Sequence, residues 1–445
     1  MLGTVLLLGL LCTPRVGTAQ EPRDSLAAEV ARLAALVDSL AREVARLRSA
    51  GEPAAADAAE DALARLRAAA DSAAGAPPAA AAAAGQGEEE AFVGRQRSLQ
   101  ALNPEISVLG DVLVQPVQQN IDEPAFIPRE FEFSFVSNLD PYSRAKVFLS
   151  NHNGGGEIIP FGGEDHEEAA IGVEEGYLEW VGLPAGFGLK LGRFYQQFGQ
   201  LNRWHSHALP FQSRSLPHLT FIGEEPLAQT GASVHWLLPV GGEAGTYEAT
   251  FEVTASSNEA LFGEDHGVSL LGHVNGFWTL SDATDLDLGL SWIHGDFRSD
   301  ENVGGRDLLG AEVAFTWRPP ERASYRGVTL RGGVMVLNGL VSGLTPPGPD
   351  PLELMDERAV GFWTAGELRI GRSWLVGARF DRTENPENTD ETAWLVSPTL
   401  TWWESEFVRV RAEYDLLGRS FLDTDEGRLL LQVTFAMGPH KHENY

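Results

Sequence analysis

The sequence predicts an all-β fold, a transmembrane antiparallel up-and-down β-barrel of about 16 strands, preceded by a short N-terminal coiled-coil helix. Three observations carry this expectation. From about Leu102 onward short segments alternate apolar with polar residues; the connections between them alternate short with long; and charged residues share one face of a segment with glycine.

The elements follow in chain order. An apolar run, Leu2 to Leu11, leads into VGTAQ, where Gly17 and Ala19 are the small residues a signal peptidase requires, so residues 1–19 are expected to be a signal peptide. Cys12 is the single cysteine of the 445 residues; Leu11 before it is too bulky for a lipoprotein site, and thiol chemistry drops out of the mature chain. Leu26, Val30, Leu33, Val37, Leu40, Val44 and Leu47 recur at alternating spacings of four and three, which predicts a parallel coiled coil over residues 24–50. Residues 51–101 are Ala-rich, with Pro53, Pro77 and Pro78, and read as a linker. No later run reaches the ~20 apolar residues of a membrane helix, so a chain that crosses a membrane must cross as a closed barrel.

The barrel is assigned to residues 102–445. Strands are expected at 105–115, 129–139, 142–150, 172–181, 186–194, 228–238, 245–255, 268–280, 285–295, 307–318, 326–338, 359–370, 374–382, 392–402, 406–416 and 427–437. Their links LDPY, LPAG, PVGG, LSDAT, RPPERAS, GRSW and WESE are tight. Between these fall long connections at 116–128, 151–171, 195–227, 256–267, 296–306, 339–358, 383–391 and 418–426. A Greek-key sandwich has no reason to alternate its links in this way, whereas a barrel with one periplasmic and one external rim does.

The faces agree. In GRLLLQVTFAMG, Leu429, Leu431, Val433 and Phe435 oppose Gln432 and Thr434; in GFGLKLGRF, Phe187, Leu189 and Leu191 oppose Lys190; Trp374, Val376 and Phe380 oppose Arg379 and Asp381. A lipid-facing charge near the bilayer middle costs on the order of 2–4 kcal/mol, so the charged face must be the wet lumen. This places Glu132, Glu179, Lys190, Glu367, Arg369, Arg379, Asp381, Arg409, Arg411 and Glu413 inside.

Composition excludes other classes. With 63 acidic against 33 basic residues the net charge is -30, which repels phosphate backbones and leaves no nucleic-acid partner. No spacing singles out a nucleophile beside the inward His235 and His273, so no enzyme activity and no cofactor are assigned. His205 and His207 are two residues apart, with His218 following and Glu224 and Glu225 nearby; two histidines are too few for a zinc site, and no metal is assigned.

The segment GYLEWVGLPAGFGLKLGRFYQQFG, Gly176 to Gly199, resembles the hairpin and following loop of the phosphate-selective porin O and P family, in which a GxF…FG segment leads into the channel loop. The ending LQVTFAMGPHKHENY is similar to an environmental Gram-negative branch of such barrels, and the resemblance covers Leu102 to Tyr445. It implies a trimeric outer-membrane porin, in relatives with a coiled coil preceded by a periplasmic stalk, and anion selectivity resting on Lys and Arg along the path. The chain departs from that pattern: Lys146, Lys190 and Lys441 are its only lysines, and its external loops are dense in acids, as in GGEDHEEAA and ENPENTDE.

The expectation is therefore an outer-membrane porin that passes small hydrophilic solutes or ions by passive diffusion, embedded in outer-membrane lipid as a homotrimer with its coiled coil in the periplasm. A modest cation preference is expected from the acidic loops. An envelope tether that uses the barrel as an anchor is the alternative. The third long connection is the expected constriction. Arg193 precedes it, and it carries Arg203, His205, His207, Arg214 and His218 among Phe198, Trp204, Phe211 and Phe221, with no acid before Glu224. An external loop has little reason to hold so many large apolar groups; packed on the lumen wall they bury area worth about 25 cal/mol per Å².

Overall fold

A strand whose two faces want different solvents is stable only where both are supplied, and closing the sheet removes the unpaired edges that lipid cannot satisfy. The computed structural model, which describes residues 104–116, 125–152, 158–161, 171–240, 245–264, 267–298, 303–340 and 356–438, meets both conditions. Sixteen antiparallel strands pair each with its sequence neighbour, and the first closes on the last, with Val108 opposite Met437 and Val114 opposite Leu431. The signal peptide, coiled coil and linker expected over residues 1–101 lie outside the described residues.

The strands are β1 (Glu105–Val114), β2 (Phe126–Asn138), β3 (Ser143–His152), β4 (Gly172–Trp180), β5 (Phe187–Tyr195), β6 (Ala228–Leu237), β7 (Thr246–Ala255) and β8 (Val268–Ser281). They continue as β9 (Thr284–Arg298), β10 (Val303–Trp317), β11 (Arg326–Leu340), β12 (Asp356–Ile370), β13 (Trp374–Asn385), β14 (Asn388–Trp403), β15 (Val408–Arg419) and β16 (Glu426–Met437). Several run further toward the long-loop rim than their apolar stretches do. The loop expected at 383–391 is mostly strand, because β13 and β14 continue to within two residues of each other. Beyond the lipid both faces meet water, so alternation ceases while backbone pairing goes on.

Outward positions are apolar. Phe133, Leu191, Phe251, Leu290, Leu330, Phe380, Leu400 and Leu429 are exposed, while neighbouring Glu132, Ser134, Glu252, Ser291 and Arg379 are buried. Aromatic rings collect beside the tight turns: Phe187 stacks on Trp236 at 5.2 Å and Trp374 on Trp402 at 6.2 Å, with Tyr142, Trp317 and Tyr325 exposed along the same rim. This is the girdle that a bilayer interface selects. At the LDPY turn, Asp140 accepts hydrogen bonds from the Ser143 hydroxyl at 2.7 Å and from the Tyr142 and Ser143 amides at 2.7 and 2.8 Å, and these, the hydroxyl foremost, hold its carboxyl below the usual range. Among the described residues no helix is long and apolar enough to cross a membrane.

The apolar packing of this barrel lies inside it. Phe198, Phe221, Ile222 and Leu227 of the third long connection join Leu261 and Phe262 of the fourth against inward Leu271, Ile293, Leu308, Met335 and Leu337. A second cluster sets Leu216 and Leu219 between Ile158, from the second long connection, and Ala393, Leu395 and Leu417 on the wall.

Candidate functional site

Residues 196–227 leave β5, cross the lumen and return to β6. Their neck is tied by Asn202, which is 1% exposed: its side-chain amide donates to the carbonyls of Gln196 and Leu227 at 2.8 and 3.1 Å, while its oxygen accepts from the Leu227 amide at 2.8 Å. Gly199, in the left-handed region at φ 70°, turns the chain inward, and its amide donates to Ser291 Oγ at 2.9 Å. A helix, α1 (Leu216–Phe221), then lies against β12 and β13, close enough that a Cβ on Gly361 would stand 2.7 Å from Pro217.

The far wall holds this loop by its backbone. Arg379 donates to the Ser213 carbonyl and hydroxyl at 2.6 and 2.8 Å, and Asp381 accepts from the Leu216 amide at 3.0 Å. Glu413 accepts from the Gln212 amide at 2.9 Å, Arg411 donates to the Leu209 carbonyl at 2.8 Å, and Arg409 donates to the carbonyl of His207. Arg129 donates to the Gln212 carbonyl and pairs with Asp111, which is itself held by Gln432 and Thr434. Hydrogen bonds with a charged partner are worth about 1.5–3 kcal/mol each, so this set offsets much of the roughly 1–2 kcal/mol per residue that ordering the loop backbone costs.

The residues expected in the constriction part company. Arg203 and Trp204 line a recess with Glu248, Asp287, Glu312 and His273. Arg214 is 5% exposed and spends its guanidinium on the Leu201 and Trp204 carbonyls at 3.0 and 2.8 Å, stitching the loop to itself. Arg193 stands within β5, opposite Gly176 and Thr230, before the loop begins. His218 is buried in α1, where burial first and then neighbouring Arg214 push it well below the ordinary imidazole value, so it is neutral. His205 Nδ1 lies 2.8 Å from both Glu132 and Glu174, and His207 Nδ1 lies 2.8 Å from Glu130. Burial opposes a charge on His205, yet Glu132 and its neighbours outweigh burial and hold the ring well above the ordinary value.

The remaining inward residues lie nearer the tight-turn rim. Glu179 pairs with Arg144 and stands 4.0 Å from Lys190; Glu367 accepts from Arg331 at 2.8 Å; and Arg369 donates to the Arg372 carbonyl at 3.2 Å. Alternation alone does not disclose Arg129 or Glu174. Each occupies a β-bulge, one opposite Val112 on β1 and one between the pairs Phe148–Glu175 and Leu149–Val173, so that Arg129 with Glu130, and Glu174 with Glu175, are all buried on the lumen side. Pro128 beside Arg129 is the one local signal, since proline within a strand marks an edge or a bulge.

A closed 16-strand barrel with its third long loop folded inside has the form of a porin-like barrel. Among solved structures it is similar to OprB of Pseudomonas putida, at TM-score 0.52 and 11% identity, over 78% of this chain and 97% of that one. It is also similar to an anion-selective porin from Comamonas acidovorans, at TM-score 0.50 and 10% identity, over 76% of this chain and 98% of that one. A protein of Aquifex aeolicus (strain VF5) described as uncharacterized is 26% identical over 318 residues, or 63% of this chain. The alignment spans 64% of that relative's length. No protein-family model matches the chain. At these identities the likeness carries the fold.

Proposed function

We propose that the protein is an outer-membrane porin through which small hydrophilic solutes or ions diffuse passively, without turnover. The observation that carries this reading is the in-folded loop: a barrel serving only as an anchor gains nothing from a buried charged clasp across its lumen, whereas a channel uses one to set its cross-section. The recess beside the loop, which this reading takes as part of the path, is of mixed sign: Arg203, Glu248, Asp287 and Glu312 line it. With a net charge of -30 and acid-rich external loops, the mouth concentrates cations, and the reading includes a modest cation preference that salt screens.

A homotrimer in outer-membrane lipid, with the N-terminal heptads in the periplasm, completes the proposal; the heptad spacing over residues 24–50 is what supports an oligomer. Reconstitution into planar bilayers tests it. Discrete conductance steps with a zero-current potential of cation-selective sign are expected in a salt gradient. Absence of channels from correctly folded protein would refute the porin reading, and an anion-selective sign would refute the preference alone.

A further inference from the structure

Four buried carboxylates and two imidazoles meet where the loop touches β2 and β4. Glu130, Glu132, Glu174 and His205 each turn one ligand atom into a space in which all four atoms lie within 4.8 Å of one another. They are 0%, 1%, 8% and 6% exposed. Two features separate this group from an ordinary acidic cluster. The first is geometric: His205 Nδ1 stands 2.8 Å from an oxygen of Glu132 and 2.8 Å from an oxygen of Glu174, and one ring nitrogen has a single proton to share between them. The second is an unmet acceptor, because Oε1 of buried Glu132 receives no hydrogen bond. A buried carboxylate oxygen left without a donor is costly, and a bound cation would satisfy it.

We propose that Glu130, Glu132, Glu174 and His205 form a divalent-metal site that ties the in-folded loop to β2 and β4. Ligands about 2.0–2.2 Å from one ion stand on the order of 3–4.5 Å apart, close to the spacing these atoms already have. Three carboxylates with one imidazole suit a transition-metal ion of the Mn²⁺ or Zn²⁺ kind better than an all-oxygen Ca²⁺ site. The surroundings supply a supporting shell: Tyr195 donates its hydroxyl to Glu174 at 2.9 Å, its amide donates to Glu175 at 2.8 Å, and His207 bonds Glu130 at 2.8 Å. Such partners orient ligands and raise affinity. The bulge at Glu174 gains a purpose, since without it Glu174 and Glu175 would point to opposite faces.

The full chain, purified in detergent, stripped with EDTA and equilibrated with Zn²⁺ or Mn²⁺, is expected to retain one ion per barrel by elemental mass spectrometry. It should also unfold at a higher temperature with the ion than without. Loss of an outer-shell partner already costs about 10–100-fold in metal affinity, so Glu132→Gln and His205→Gln should each weaken binding by at least about tenfold in titration calorimetry. His294→Gln serves as control; its ring lies 3.0 Å from Asp307, apart from this group, and affinity should not change. If either variant fails to fold, X-ray absorption on zinc bound to the unaltered protein decides, with one imidazole among oxygen ligands expected. No stoichiometric ion, affinity unchanged in both variants, or two or more imidazoles around the zinc would overturn the site. None of these readouts depends on whether the barrel conducts.

Discussion

Two walls of the same lumen carry similar charge and use it differently. Along β13 and β15, Arg379, Asp381, Arg409, Arg411 and Glu413 are buried, and each is turned onto the backbone of the loop. Along β7 to β9, Glu248 and Asp287 face a recess beside Arg203, while Glu312 on β10 accepts from the Gln200 amide of the loop. An inward charge is therefore not by itself part of a solute path; what matters is whether a loop atom has already claimed it. The first wall is structural and the second is the candidate selectivity surface.

Removing the loop is the largest way to break this division. Deletion of Leu201 to Leu219 is expected to raise single-channel conductance severalfold and to leave the clasp residues lining open water; unchanged conductance in a folded barrel would place the loop outside the path. Next comes the clasp itself. Arg409→Ala with Arg411→Ala removes charged hydrogen bonds worth about 1.5–3 kcal/mol each, and should release the loop enough to give noisy, enlarged conductance in single-channel records. Gly361→Val tests the same wall sterically: its new methyls meet Pro217, overpacking costs about 1–3 kcal/mol, and melting followed by gel mobility should show an earlier transition.

Smaller effects sharpen the contrast. Arg203→Ala should move the zero-current potential toward stronger cation preference with little loss of stability. Arg214→Ala, which frees two loop carbonyls, should do the reverse, lowering stability with little shift in potential. Equal shifts from the two variants would show that both arginines face the path. The smallest effect concerns His218. The fold holds it neutral, while the unfolded chain protonates it near 6.5, so stability is full above that pH and declines as pH falls below it. His218→Phe should flatten that decline in melting curves taken across the acid range.

Much of the barrel was legible because its signals are local. Period-two alternation reports which face each strand turns to lipid, and Leu429 against Gln432 or Val376 against Arg379 show it within a few residues. The apolar loop among acidic neighbours, with Phe198, Phe211 and Phe221, announced its own burial by composition. The inward turn of Ile158 was less plain, since IIPF is a short apolar island in an acid-rich stretch.

What sequence alone determined was the number of strands, the faces they present and the loop that cannot stay in water, since each follows from the chemistry of neighbouring residues. Tertiary structure decided which charges meet. Gln212 and Glu413 are 201 residues apart and touch only because the sheet closes and the loop returns across it. Arg129 and Glu174 face inward only because a bulge shifts the register, and a bulge is a property of two paired strands, not of one. The gathering of Glu130, Glu132, Glu174 and His205 draws on two strands and a loop, and so it exists only in the folded barrel.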